Sequence, residues 1–331
     1  MWNVYGLSKA KLNDPTFVSV FNSYDFVVLS ETWTRTEDII NIPDFQPFTA
    51  HRLERSSNSS KQARGGVIIY VKEKLLDGVS VIKTSSDLIW LKLDRDFFGF
   101  KNDIILCGFY VLPCNSSARA NFDIDVIDKM IMELSELKIL HPNAMFVLGG
   151  DGNGRVSNLS DHIVNDLSSY LPLPNEYIED SPPTFDRINE DSVVTSQGRR
   201  IMDFCKMSNL RIVNGRANYG PEGARYTCVT NRGCSTVDLT LCSAELLLDI
   251  KSFCILDSNI YSDHRPMTFY IESKVPEHPN ETKLNTEKMS WKPDKKDEFV
   301  QNLNDRNVIS MLDEMVECME RNIPESVEHV N

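Results

Sequence analysis

The sequence predicts an α/β fold in which β-sheets pack on one another and helices lie outside them, within a single domain over residues 1–273. Two observations carry this. Short β-rich runs outnumber the helical patterns, and the helices fall between the strands instead of in a separate block. Many of the runs are continuously apolar, which marks strands covered on both faces. In chain order the strand candidates are 25–30, 66–71, 88–93, 103–110, 144–148, 210–213, 235–241 and 266–271. The first clear helix spans about 123–140, where Val126, Ile127, Met130, Ile131, Leu134 and Leu137 recur on one face. A second spans about 197–207 with Ile201, Met202 and Cys205 inward. Residues 56–63, 157–196 and 218–225 read as loops, and 274–297, polar and proline-containing, as a linker. Beyond it Ile309, Leu312, Val316 and Met319 line one face of a tail helix, about 308–322, within a segment 298–331.

Composition excludes several classes. Hydrophobic residues make up 41% of the 331 and charged residues 25%, enough apolar matter for a core and too little charge for a disordered chain. No apolar run nears the roughly 18 residues that span a bilayer. Lys9, Lys11 and Asp14 stand where a secretory signal needs an apolar stretch. The expectation is a soluble, intracellular protein that is not secreted, whose eight cysteines are reduced core thiols. The net charge is −13. Residues from 274 onward contribute −5 of this, so 1–273 keep −8. Tight non-specific binding to a polyanion is disfavoured, although the field at a site matters more than the total.

Four places carry candidate chemistry. Glu31 ends the buried run DFVVLSE, where a carboxylate can meet a hard cation or simply face water. Asp151 and Asn153 follow AMFVLGG in GGDGNG, either a plain turn or a pairing of a general base with an amide that holds phosphate or water. Asp263 and His264 precede the run RPMTFYI and offer a metal ligand beside a group that titrates near neutrality. Asp238 lies inside the apolar run 235–241, which is costly unless it faces outward or has a partner such as His264.

Taken in order these residues form a series. Trp2-Asn3, Glu31 in S-E-T, Tyr110 and Pro113 in F-Y-x-x-P, Asp151 and Asn153 in G-D-x-N, Asp238 in S-x-x-D and Asp263-His264 in S-D-H together resemble the endonuclease/exonuclease/phosphatase superfamily, which includes deoxyribonuclease I and the apurinic/apyrimidinic endonucleases. The stretches LSETWT, RGGVIIYVK, IWLKLD, YVLPCNSS, GRRIMDFCKMSNLRIVNGR and STVDLTLCS resemble, more narrowly, the endonuclease domain of non-long-terminal-repeat retrotransposons. The segment MSWKPDKKDEF is similar to the linker between that domain and a reverse transcriptase, which does not follow here.

The resemblance implies a four-layer α/β sandwich, with two mainly antiparallel β-sheets face to face and helices outside, as the catalytic domain. It implies a Mg²⁺-dependent endonuclease (Mn²⁺ as substitute) that nicks double-stranded DNA and leaves a 3′-hydroxyl, acting in the nucleus beside a reverse transcriptase of the same polyprotein. Glu31 and Asp263 would hold the metal, and Asp151 would activate water. Asn153 and Asn3 would hold phosphate or water, Tyr110 would bond the phosphate, and Asp238 would orient His264. Asn115, Arg64, Arg216 and Arg225 would contact DNA phosphates, the three arginines as parts of two basic groups that also contain Arg52, Arg55, Lys61, Arg199, Arg200 and Arg232. Tyr5 stands where relatives often carry an acid, which puts one metal ligand in doubt. Gly152 replaces a usual aromatic and predicts a looser turn after Asp151. Two other readings are carried alongside: a phosphatase or phosphodiesterase acting on small phosphate esters, and a non-catalytic binding module from a decayed element.

Overall fold

Which strands can hide both faces decides how the two sheets are built. The computed structural model describes residues 1–52, 65–117, 119, 124–164, 180 and 182–273, all within the unit Met1–Val275. The first sheet contains β1 (Trp2–Asn3), β2 (Phe26–Ser30), β3 (Phe45–Ala50) and β4 (Val67–Lys72) in the order β1-β2-β4-β3. Only the β1–β2 pair is parallel. The second contains β5 (Val79–Ser85), β6 (Leu88–Leu93), β7 (Ile104–Tyr110), β8 (Met145–Asp151) and β9 (Leu210–Ile212). After a hairpin of β10 (Cys228–Thr230) and β11 (Gly233–Ser235), β12 (Asp238–Ser243) enters it between β8 and β9. The order is β5-β6-β7-β8-β12-β9, with β7–β8 parallel and the other pairs antiparallel. A hairpin of β13 (Ile250–Ile255) and β14 (Met267–Ile271) completes the strands.

The period of two along each strand sorts side chains into layers. Val28, Val67, Ile69 and Val71 of the first sheet pack against Ile89, Leu91, Leu106, Val147 and Cys242 of the second. The alternate residues Leu29, Ile68 and Tyr70 pack outward on Trp2, Phe17 and Phe21, beside α1 (Lys9–Leu12) and α2 (Pro15–Ser19). Trp90, Ile105, Cys107, Leu148 and Leu241 point from the second sheet into the helices α4 (Val126–Leu140) and α5 (Ser196–Met207), which follow the short α3 (Arg95–Phe98). This is the expected four-layer sandwich. Each fully buried aliphatic contributes about 1.5–3 kcal/mol relative to exposure. Both main helices start on caps: the Asp125 carboxylate accepts from Ile127 N, and the Thr195 hydroxyl from Gly198 N.

Several strand ends differ from expectation, with physical reasons. The strand expected at 144–148 runs on to Asp151, because parallel pairing with β7 continues to Tyr110. Gly149 and Gly150 are in it for space: a Cβ on Gly150 would lie 1.9 Å from Phe109 O. The run 235–241 is two strands, not one. Thr236 N donates to Asp191 and the backbone N–H groups of Val237 and Asp238 donate to the Thr227 hydroxyl, which breaks the ladder. Asp238 therefore begins β12 instead of interrupting it. The strands β3, β5, β10 and β13 fall outside the expected runs; their partly exposed, mixed composition hides the pattern. Of seven described cysteines, Cys107, Cys205 and Cys242 are core thiols, whereas Cys114 and Cys234 are exposed. The 56–63 loop, the 274–297 linker and the 298–331 tail lie outside the described residues. Among the described residues no helix is long and apolar enough to cross a membrane.

Candidate active site

Sheet register builds the centre. Asp151, the last residue of β8, sits level with Tyr110 on one side and Asp238 on the other, so three side-chain positions form one row across three strands. Asp151 is 1% exposed. From the first sheet, β1 delivers Asn3 and the end of β2 delivers Glu31. The Asn3 amide nitrogen bridges the two sheets, donating to Glu31 Oε2 at 2.9 Å and Asp151 Oδ2 at 2.8 Å. Asn153, held at φ 45°, donates its backbone N–H to Asp151 Oδ1 at 2.7 Å and its amide to Oδ2 at 3.0 Å.

The turn after Asp151 is not loosened by its glycine. Gly152 N donates to Val237 O at 2.9 Å, and the buried Gln197 amide donates to Gly152 O at 2.6 Å and Leu112 O at 3.2 Å. Ile201 fills the space beside the turn, 2.9 Å from where a Cβ on Gly152 would lie. Gln197 is a positioning residue that sequence reasoning placed only as a helix start, since nothing marks a glutamine as turned toward a neighbouring loop.

On the other flank, His264 Nδ1 lies 2.7 Å from Asp238 Oδ2. This resolves the sequence alternatives for Asp238: it is 2% exposed and paired. Trp2 Nε1 donates to His264 O at 2.8 Å and fixes the loop from the far end of the chain. Burial pulls the imidazole's pKa down, but the charge and hydrogen bond of Asp238, the Cys228 thiol and Asp151 outweigh it and raise it to about 12. Burial and Asp238 push Asp151 up to about 8, against His264 and the Asn153 N–H, with Glu31 adding to the rise. Tyr110, 3% exposed, lies under the Arg52 guanidinium at 5.2 Å. Burial and the nearby Glu31 and Asp151 carboxylates raise its phenol, which stays protonated and able to donate.

The hydrogen bonds to Glu31, Asp151 and Asp238 come from asparagine amides, an indole, a backbone N–H and His264; among the described residues none comes from Lys or Arg. Ligand atoms of Asp151, Asp238 and His264 lie within 4.8 Å of one another, and the buried Asp238 Oδ1 lacks a hydrogen-bond partner. Concentrated oxygen donors with uncompensated negative charge fit a hard divalent cation.

Other sequence candidates fall elsewhere. Asp263 is exposed and outside the Asp151–Asp238–His264 group. Asn115 is exposed in the loop after Tyr110. Arg225 pairs with Asp257 at 2.6 Å, and Arg64 lies outside the described residues. Arg216 must be reassigned. It is 2% exposed, donates to Ile212 O and Phe185 O, and pairs with the buried Asp161. Around it Arg211 pairs with Asp180, and Arg187 donates to the carbonyls of Asn214, Leu159 and Ser157. Arg52 is likewise no surface cation: it is buried and bonded to Asp87 at 2.7 Å.

Comparison with known proteins agrees with this geometry. The model of the Endonuclease/Exonuclease/phosphatase family matches residues 2–264. No curated protein sequence matches the chain. Among solved structures it is similar to the AP endonuclease LMAP from Leishmania major, at 14% identity over 82% of this chain and 86% of that one, with TM-score 0.55. It also matches the endonuclease domain of TRAS1, a telomere-specific non-LTR retrotransposon, at 16% identity over 80% and 92% of the two chains, TM-score 0.48. A 3′-5′ exonuclease (NExo) from Neisseria meningitidis matches at 15% identity over 82% and 98%, TM-score 0.49. With the family model spanning the whole row of site residues, from Asn3 to His264, the chain belongs to the endonuclease/exonuclease/phosphatase family.

Proposed function

We propose that the protein is a Mg²⁺-dependent endonuclease, with Mn²⁺ as a substitute, that nicks double-stranded DNA by phosphodiester hydrolysis and leaves a 3′-hydroxyl. Its role would be that of a non-long-terminal-repeat retrotransposon, exposing a primer on chromosomal DNA in the nucleus for a reverse transcriptase of the same polyprotein. The observation that carries the reading is the cluster of Glu31, Asp151 and Asp238, three carboxylates without a lysine or arginine partner among the described residues, around two asparagine amides and one histidine.

Each residue has a task its position allows. Glu31 would hold the cation, which when bound would offset charge on the phosphate and the leaving oxygen. Asp263, exposed beside His264, could complete its coordination. Asp151 accepts the proton of the attacking water, a task suited to a carboxylate raised toward neutrality. Asn3 and Asn153 hold that carboxylate in one orientation. The Tyr110 phenol and the His264 imidazolium donate to non-bridging phosphate oxygens, where charge grows in the transition state. Asp238 keeps the imidazole charged and aimed. Asn115 and Arg225 remain candidates for flanking phosphates.

The test is a nicking assay on supercoiled plasmid with Mg²⁺, with Mn²⁺ and with chelator, beside Asp151→Ala and Glu31→Ala. Metal-dependent nicking that both substitutions abolish supports the reading. Absence of nicking by the unsubstituted chain overturns it. The net charge of −13 and the interior placement of Arg216 favour, as second reading, a hydrolase of small phosphate esters. That reading predicts turnover of such esters by the same protein.

A further inference from the structure

Beside the carboxylates the chain presents an aromatic pair that the proposed chemistry does not use. Tyr5, two residues after Asn3, and Trp33, two residues after Glu31, meet edge to face with ring centroids 4.8 Å apart and planes at 60°. Tyr5 is 55% exposed. Trp33 is half-buried.

Both rings are tied to the centre. Trp33 Nε1 donates to Glu31 Oε1 at 3.3 Å, and Tyr5 N donates to Asn3 Oδ1 at 3.0 Å. The two segments continue the β1–β2 ladder beyond the strands, through Gly6 N to Glu31 O and Leu7 N to Thr32 O, both 2.8 Å. The backbone is strained to achieve this. Tyr5, Glu31 and Trp33 take φ of 48°, 54° and 56°, a region costly for side chains of this size. Gly6, at φ 86°, lies so close under the indole that a Cβ there would sit 2.5 Å from Trp33 Cε3. Three left-handed residues on two adjacent loops, all at the catalytic rim, form the pattern in which strain is held for function. A hydrophobic-core role does not explain it, because the outer ring stands in solvent.

We infer that Tyr5 and Trp33 form a stacking subsite for a nucleobase or its sugar next to the scissile phosphate. The inference rests on the nuclease reading of the same site and adds the substrate group that this edge recognises. Charge makes it needful. The domain is acidic, and Arg52 and Arg216 serve its interior. Backbone electrostatics therefore supply less of the affinity than in a basic nuclease, and aromatic contact, which is insensitive to salt, supplies more. It also recasts Tyr5. The position that lacks a possible metal ligand holds a substrate contact instead.

The experiment uses the full chain with Trp291→Phe, so that buried Trp2 and Trp90 and the half-exposed Trp33 report. Indole emission is titrated with a short DNA duplex, with and without a single-base gap, in chelator so that nothing is cut. Quenching by DNA is expected. Tyr5→Ala should weaken it roughly five- to hundred-fold in Kd, the range of one stacked base, with Tyr5→Phe restoring it. In Mg²⁺, Tyr5→Ala should raise KM by a similar factor and leave kcat largely intact, since the contact is made in ground and transition states alike. Loss of kcat at constant KM would instead make Tyr5 a mere brace for Glu31 and overturn the inference, as would equal DNA affinity for Tyr5→Ala and the unsubstituted ring. Binding and cutting are read separately. Quenching without nicking would sink the nuclease reading but keep the subsite, and nicking indifferent to Tyr5 would do the reverse.

Discussion

Among the described residues, two of the buried groups of charged residues are built on opposite rules. Around Asp161, each carboxylate meets a guanidinium: Arg216 pairs with Asp161 and Arg211 with Asp180, while Arg187 and the spare nitrogens of Arg216 donate to backbone carbonyls. Around Asp151, three carboxylates meet one histidine and neutral amides. A cluster whose carboxylates all meet cations is finished when the chain folds. An unbalanced one leaves free energy for a cation and a phosphate to release. Burial of charge alone therefore does not distinguish a working site from a structural one; the uncompensated sign does.

Substitution should separate the two groups, and the largest effect is expected at the centre. Asp151→Ala removes the proposed base and should lower nicking by about 10⁴-fold or more, on the order of 5 kcal/mol, while the thermal midpoint holds or rises. Plasmid nicking and a melting curve on one sample check both halves. Arg216→Met does the converse. It strands the Asp161 carboxylate and should cost about 3–5 kcal/mol of stability, with nicking per folded molecule retained below the melting range; equal loss of both would break the contrast.

A smaller effect, about 10²-fold in rate, is expected for Asp238→Asn. Here the pH profile is the sharper reading. Asp238 holds His264 up to about 12 against burial, so its removal lets the imidazole's pKa fall. The alkaline limb of activity should move to lower pH. The smallest effect concerns stability without metal. Asp151 is raised from 3.8 to about 8, so the folded state binds its proton more tightly than the unfolded state. Its contribution therefore declines as pH rises from about 4 to about 8. In chelator, Asp151→Asn should melt higher than the parent by a few degrees, about 2–4 °C per kcal/mol, with a gap that widens toward pH 8 and closes when Mg²⁺ is added.

Much of the candidate site was legible because strands advertise where they end. Asp151 and Glu31 each follow an apolar run, and Asp263-His264 precede one. Their neighbourhood in space was not, since pairing register decides it: Asp238 faces Asp151 only because β12 starts after a break made by Asp191 and Thr227. Arginine was the least readable type. Arg216 and Arg52 looked like surface cations, and nothing local in sequence told that Asp161 and Asp87 wait inside for them. Gln197 and the Tyr5–Trp33 pair were invisible for the same reason, being contacts between loops far apart in the chain. The missed strands β5 and β13 alternate too weakly to register as strands.

The link from the Trp2 indole to the His264 carbonyl, 262 positions apart, has a consequence for the order of folding. Asn3 is fastened in the same way, its carbonyl accepting from the Ser262 hydroxyl at 2.7 Å. Contacts of such sequence separation close late, because the whole intervening loop must be ordered first. During synthesis, at about 5–20 residues per second, the sheets can assemble while His264 is still unmade or unplaced. The cluster of Asp151, Asp238 and His264 is thus the last feature the domain completes, and a chain interrupted anywhere before residue 264 lacks it.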